Sequence, residues 1–155
     1  MSFKIGVITD SFRCPLEQAI DKAAALGADG VQIYATGREL AHDTPDDRVK
    51  KILRLLKDAG LELSALCGDI GAFDDEIVNI ERVKHSKKIV DLAVKMGTKV
   101  VTTHIGVVPE DKNHKQYRTI HKACSELGRY ADSQGVKFAI ETGPEKAYIL
   151  RMLLD

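Results

Sequence analysis

Four glycines constrain this chain more than any other feature. Gly27, Gly60, Gly97 and Gly135 each close a long helix-like segment, and each is followed within about three residues by a short β-branched run. A left-handed residue after the last helical turn costs little only for glycine, so this spacing predicts helix stops that feed directly into strands. The predicted strands are Lys4–Thr9, Gly30–Tyr34, Glu62–Leu66, Lys99–His104 and Lys137–Glu141. The predicted helices are Pro15–Leu26, Pro45–Ala59, Ile80–Met96, Lys115–Gln134 and a last one starting near Pro144. Val49, Ile52, Leu53 and Leu56 recur at helical spacing, and Pro15, Pro45 and Pro144 suit first turns.

The strands are nearly continuous apolar runs, which predicts burial on both faces and therefore a parallel sheet covered by helices. No linker or low-complexity tract interrupts the five βα units, so residues 1–155 are expected to form one domain. A doubly wound sheet usually carries a Gly-rich phosphate turn after its first strand. Here that turn is Thr9-Asp-Ser-Phe-Arg-Cys-Pro15, without glycine. Polar residues instead gather at strand C-termini: Asp10, Tyr34, Cys67 with Asp69, His104 and Glu141. Those ends form the active-site face of a (β/α)8 barrel. The expected fold is thus an incomplete (β/α)8 TIM barrel of about five units. The chain ends inside a helix at Leu150-Arg-Met-Leu-Leu-Asp155, which suggests a fragment of a longer protein.

Composition narrows the function classes. The 155 residues carry 23 basic and 23 acidic side chains, and aromatics make up 5%. A dedicated nucleic-acid surface would show a basic excess or stacking platforms, so no nucleic-acid partner is expected. The apolar runs fall well short of the ~20 residues of a membrane helix, and no export leader is evident, so the expected compartment is the cytoplasm. Cys14, Cys67 and Cys124 form no C-x-x-C pair and are expected to be reduced thiols serving as apolar fillers.

Among chemistry-bearing residues, Glu141 follows the apolar run Phe138-Ala-Ile directly. At a barrel mouth it would serve as metal ligand or proton carrier; alternatively it caps the strand end or pairs with a nearby lysine. His104 ends a buried strand and would bind a metal or a substrate hydroxyl, or else be a core histidine satisfied by a backbone carbonyl. Cys67 lacks an evident base and is expected to form a pocket wall, and Asp69 to cap a turn. His85 lies among Arg82, Lys84, Lys87 and Lys88 on an expected solvated helix face, and His42 is assigned to its own loop or the second helix start. His114 and His121 do not match a zinc motif.

Four segments then converge: Gly27-Ala-Asp-Gly-Val-Gln-Ile-Tyr34, Ser64-Ala-Leu-Cys-Gly-Asp69, Thr103-His-Ile-Gly-Val-Val-Pro109 and Ile140-Glu-Thr-Gly-Pro-Glu145. Together, in order, they resemble the sugar phosphate isomerase/epimerase family of the xylose isomerase-like TIM barrels, over the first five of eight units. The resemblance implies a sugar or sugar-phosphate substrate and one divalent metal (Mn, Mg, Co or Zn). In the family the ligands follow strands five to eight, and only the first has a counterpart here, Glu141. The metal polarises the ketose oxygens while two carboxylates exchange protons through an enediolate. By the same resemblance His104 and Cys67 line the sugar pocket, with Glu145 at its edge. Gln32 stands where many relatives carry Glu. The chain is therefore expected to be the N-terminal portion of such an enzyme, inactive alone, with possibly no metal bound. Two other readings accompany this one: an AP endonuclease-like metal-dependent hydrolase of the same superfamily, and a non-catalytic half-barrel that assembles, at least as a dimer, through open strand edges.

Overall fold

The computed structural model describes residues 3–141 and 143–155. Five strands, β1 (Gly6–Ile8), β2 (Gly30–Tyr34), β3 (Glu62–Cys67), β4 (Val100–Thr103) and β5 (Lys137–Ile140), alternate with helices α1 (Leu16–Ala25), α2 (Asp46–Asp58), α3 (Glu76–Met96), α4 (Lys115–Ser133) and α5 (Ala147–Leu154). The sheet is parallel throughout, in the order β1-β2-β3-β4-β5. This is an α/β fold, a partial TIM barrel of five βα units. No helix among the described residues is long and apolar enough to cross a membrane.

The four glycine stops form as expected. Gly27, Gly60, Gly97 and Gly135 have φ of 74°, 71°, 78° and 70°. In each case the next residue's N–H reaches back to a helix carbonyl: Ala28 to Ala23, Leu61 to Leu56, Thr98 to Ala93 and Val136 to Ala131, at 2.9–3.1 Å. These Schellman closures satisfy carbonyls left free at each helix end and turn the chain back towards the sheet. At Gly30 the reason for glycine is steric, since a Cβ there would lie 2.7 Å from the Glu62 carbonyl oxygen.

Two helix starts differ from the sequence reading. α3 begins at Glu76 rather than Ile80, because the Asp75 carboxylate accepts from the N–H groups of Ile77 (2.8 Å) and Val78 (3.0 Å). α5 begins at Ala147 rather than near Pro144, because Glu145 Oε1 accepts the Gly143 N–H at 2.9 Å and holds that stretch as a turn. A short 3-10 turn, Thr9–Phe12, also follows β1.

Burial on both faces is not what the sheet shows. Val31, Ile33, Leu66 and Val101 are fully buried in a core with Ile20, Ile52, Ile89 and Val90 of the helices. A second cluster joins Phe73, Ile105, Tyr117, Ile120, Leu127 and Ile149 under α4 and α5. The alternate strand residues Gln32, Tyr34 and Thr102 are only half-buried, and Ile8 is exposed. The inner face of a barrel is filled by side chains from facing strands, and five strands enclose no such layer. Across this open face Gln32 Nε2 donates to Thr102 Oγ1 at 3.0 Å. The β2–β3 register shifts after Val31, and Ser64 Oγ fills the irregularity by donating to the Val31 carbonyl at 2.8 Å.

Candidate active site

The parallel arrangement brings the C-terminal strand ends to one rim. Glu141 continues β5 for one further pairing: its N–H donates to the Thr103 carbonyl at 2.9 Å. Because side chains alternate along a strand, Glu141 shares the open face with Ala139, as His104 does with Thr102. Glu141 Oε2 lies 3.3 Å from His104 Nε2, with side chains 56% and 49% exposed. His104 is thus not a core histidine satisfied by a backbone carbonyl, and the partner of Glu141 is an imidazole rather than a lysine. Thr142, which completes that motif, lies outside the described residues.

A second pair occupies the middle of the rim. The shifted register sets Tyr34 opposite Cys67, which is buried. Charge on the Cys67 sulfur and a hydrogen bond with it, followed by burial and the charges of Asp69 and Glu141, push the Tyr34 hydroxyl up to about 12. The phenol therefore stays protonated near neutral pH and is available as a donor. Around these pairs, Asp69 Oδ1 caps the Gly71 N–H at 3.0 Å, as expected. Asp10 Oδ2 accepts from Thr9 Oγ1 at 3.1 Å and from the Tyr34 N–H at 3.4 Å.

The structure does not bring every expected residue to this rim. Glu145 is folded back onto its own turn, with Oε1 on the Gly143 N–H and Oε2 buried without a hydrogen-bond partner. Cys14 and Cys124 are free thiols; Cys14 lines a small cleft with Asp10 and Tyr34, and burial pushes Cys124 up to about 12. Tyr34 was visible in the sequence only as a polar strand end; its contact with Cys67 depends on the register shift, which no local pattern signals.

These residues do not by themselves make a metal centre. Among the described residues, no group of three or more His, Cys, Asp and Glu side chains is placed to hold an ion. Glu141 and His104 offer two donors, and they face each other.

The fold agrees with the comparisons. A family model described as xylose isomerase-like TIM barrel matches residues 20–150. The chain belongs to that family. Solved structures of similar fold include a xylose isomerase domain protein from Planctomyces limnophilus, 21% identical with a TM-score of 0.80, matched over 98% of this chain and 58% of that one. Another is a sugar phosphate isomerase/epimerase from Parabacteroides distasonis, at 15% identity and TM-score 0.66, over 97% of this chain and 60% of that one. A third is a xylose isomerase-like TIM barrel protein from Mycobacterium smegmatis in complex with magnesium, at 15% and 0.74, over 99% and 60%. At such identities the likeness shows the fold. The chain spans about three fifths of the length of these three structures. No curated protein matches it.

Proposed function

We propose that residues 1–155 are a single domain, the N-terminal portion of a sugar or sugar-phosphate isomerase or epimerase that works by proton transfer next to a carbonyl in the cytoplasm. The observation that carries this reading is Glu141 held at the rim by the Thr103 carbonyl, its carboxylate 3.3 Å from His104. In this reading Glu141 holds or moves the proton at its Oε2 and is also one ligand of a divalent ion. His104 orients that carboxylate and hydrogen-bonds a sugar hydroxyl. The neutral Tyr34 hydroxyl donates to a substrate oxygen, and Cys67 forms the dry floor beneath it. A divalent ion would supply polarisation of the sugar oxygens, but the two donors present do not complete its site. Three or four ligands are usual for such a centre, so the rest must come from outside these five strands.

Two measurements test this. In an eight-stranded protein containing these residues, deuterium from solvent should enter a ketose next to its carbonyl, and Glu141→Gln should slow that by ~10²–10⁴-fold, the usual worth of a general base. Exchange untouched by Glu141→Gln would overturn the reading. The 155-residue chain alone is expected to bind Mn2+ weakly or not at all; micromolar, stoichiometric binding lost in Glu141→Gln would mean that another copy completes the site.

The unpaired edges of β1 and β5 favour a second reading, an assembling half-barrel. Phe3, Ile5 and Ile8 are 91%, 65% and 40% exposed beside the β1 edge. Exposed edges and apolar side chains together promote pairing with another chain. Sedimentation is expected to show at least a dimer, and a monomer at all concentrations would remove this reading.

A further inference from the structure

The loop after β2 meets α3 over a cleft of about 370 Å³ whose lining includes His42, Glu81, Arg82, Lys84, His85 and Lys88. The rings of His42 and His85 pack edge to face, centroids 4.4 Å apart with an interplanar angle of 63°. The sequence separates these two histidines into a loop and a solvated helix face; the fold makes them one cluster.

Two of the ring nitrogens, His42 Nδ1 and His85 Nε2, are buried without a hydrogen-bond partner. The Lys88 ammonium lies 3.5 Å from His42 Nε2. An ammonium group has donors only, so it can hydrogen-bond that nitrogen when the ring carries its proton on Nδ1. Such orphaned ring nitrogens are rare in native interiors, and each calls for a physical explanation. The cationic side chains are unevenly committed. Arg82 donates to the Ala72 carbonyl, and Lys84 stands 3.7 Å from Glu81. Lys88 forms no salt bridge with a carboxylate among the described residues. Glu81 is the acid lining the cleft, and Asp43 acts on His85 from the β2–α2 loop. Burial first, then the charges of His42 and Lys88, hold His85 below the ordinary histidine range against the pull of Asp43. The cleft thus holds three cationic side chains, Arg82, Lys84 and Lys88, against one carboxylate in its lining, a balance that favours an anion.

We propose that this cleft binds a phosphate-type oxyanion, with Lys88 and Lys84 supplying charge beside the His42–His85 ring pair. The proposal is independent of the reaction assigned to the rim.

The test follows the histidine ring resonances of the 155-residue chain while inorganic phosphate is added at constant ionic strength. Saturable shifts of His42 and His85 are expected, with His121, stacked on Tyr117 of α4, as the unmoved control. Bound phosphate should raise the pH midpoint of His85. Lys88→Gln, at an exposed position away from the core, should raise the half-saturating concentration at least fivefold, with circular dichroism unchanged. A hexose phosphate serves as a second probe: tighter binding than phosphate assigns the anion to a phosphorylated sugar, and equal binding assigns it to the free ion. Linear drift, equal shifts with chloride, indifference to Lys88→Gln, or a response to Zn2+ but not to phosphate would overturn the proposal.

Discussion

The centre of the sheet and its edges are built from similar apolar residues but end in different states. In β2–β4 the helix-facing residues Val31, Ile33, Leu66 and Val101 are at most 1% exposed. In β1 and β5 the equivalent runs are exposed or half-buried. The candidate rim straddles this divide: Tyr34 and Cys67 sit over the packed centre, and Glu141 projects from an edge strand. A strand's composition therefore sets its propensity, whereas the number of neighbours sets its burial and the environment of the polar group at its end.

Substitutions can break this contrast. Leu66→Ala is expected to cost ~2–5 kcal/mol in urea unfolding, the range for a fully buried leucine. Ile140→Ala, half-buried on β5, should cost about 1 kcal/mol. Equal effects would mean that β5 is enclosed in solution by a partner, as the assembly reading requires. Gly30→Ala should cost about 1–3 kcal/mol, because its Cβ would press on the Glu62 carbonyl.

Smaller effects concern charge. Glu17 of α1 lies 2.5 Å from Arg48 of α2, and that guanidinium, with further help from its own backbone and Lys51, holds Glu17 down to about 2. A depressed carboxylate contributes stability above its unfolded value of about 4.3, and the contribution is lost as pH falls through about 2. Glu17→Gln should therefore flatten the decline in stability between about pH 5 and pH 2. Its effect near pH 7 should be small, because the pair is partly solvated. At the rim, Cys67→Ala should move the Tyr34 midpoint from about 12 part of the way towards about 10, since burial, Asp69 and Glu141 remain. A ring-resonance titration reads this directly.

Most of the fold was legible in the sequence because glycine stops and strand runs are local signals. Those signals located all five strands and the ends of four helices. α3 started earlier than its apolar periodicity suggested, because Asp75 caps exposed first turns that carry no such periodicity. α5 started later, because Glu145 turns back on Gly143, a side-chain choice that proline position does not reveal. The open inner face was misjudged for a different reason: apolar runs encode readiness for burial, not the presence of strands to provide it. At the site, Glu141 and His104 were legible as strand ends. The Tyr34–Cys67 contact and the His42–His85 pair depend on register and on helix placement, and neither is written in any short stretch of chain.

Glu141 facing His104 across the β4–β5 edge, on the open side of the sheet, carries the proposed chemistry. The most direct test is the ring-nitrogen spectrum of His104 in the native chain and in Glu141→Gln. The expected result is a clear shift of His104 Nε2 with His121 unmoved; an unchanged His104 resonance would place the carboxylate elsewhere and contradict the account.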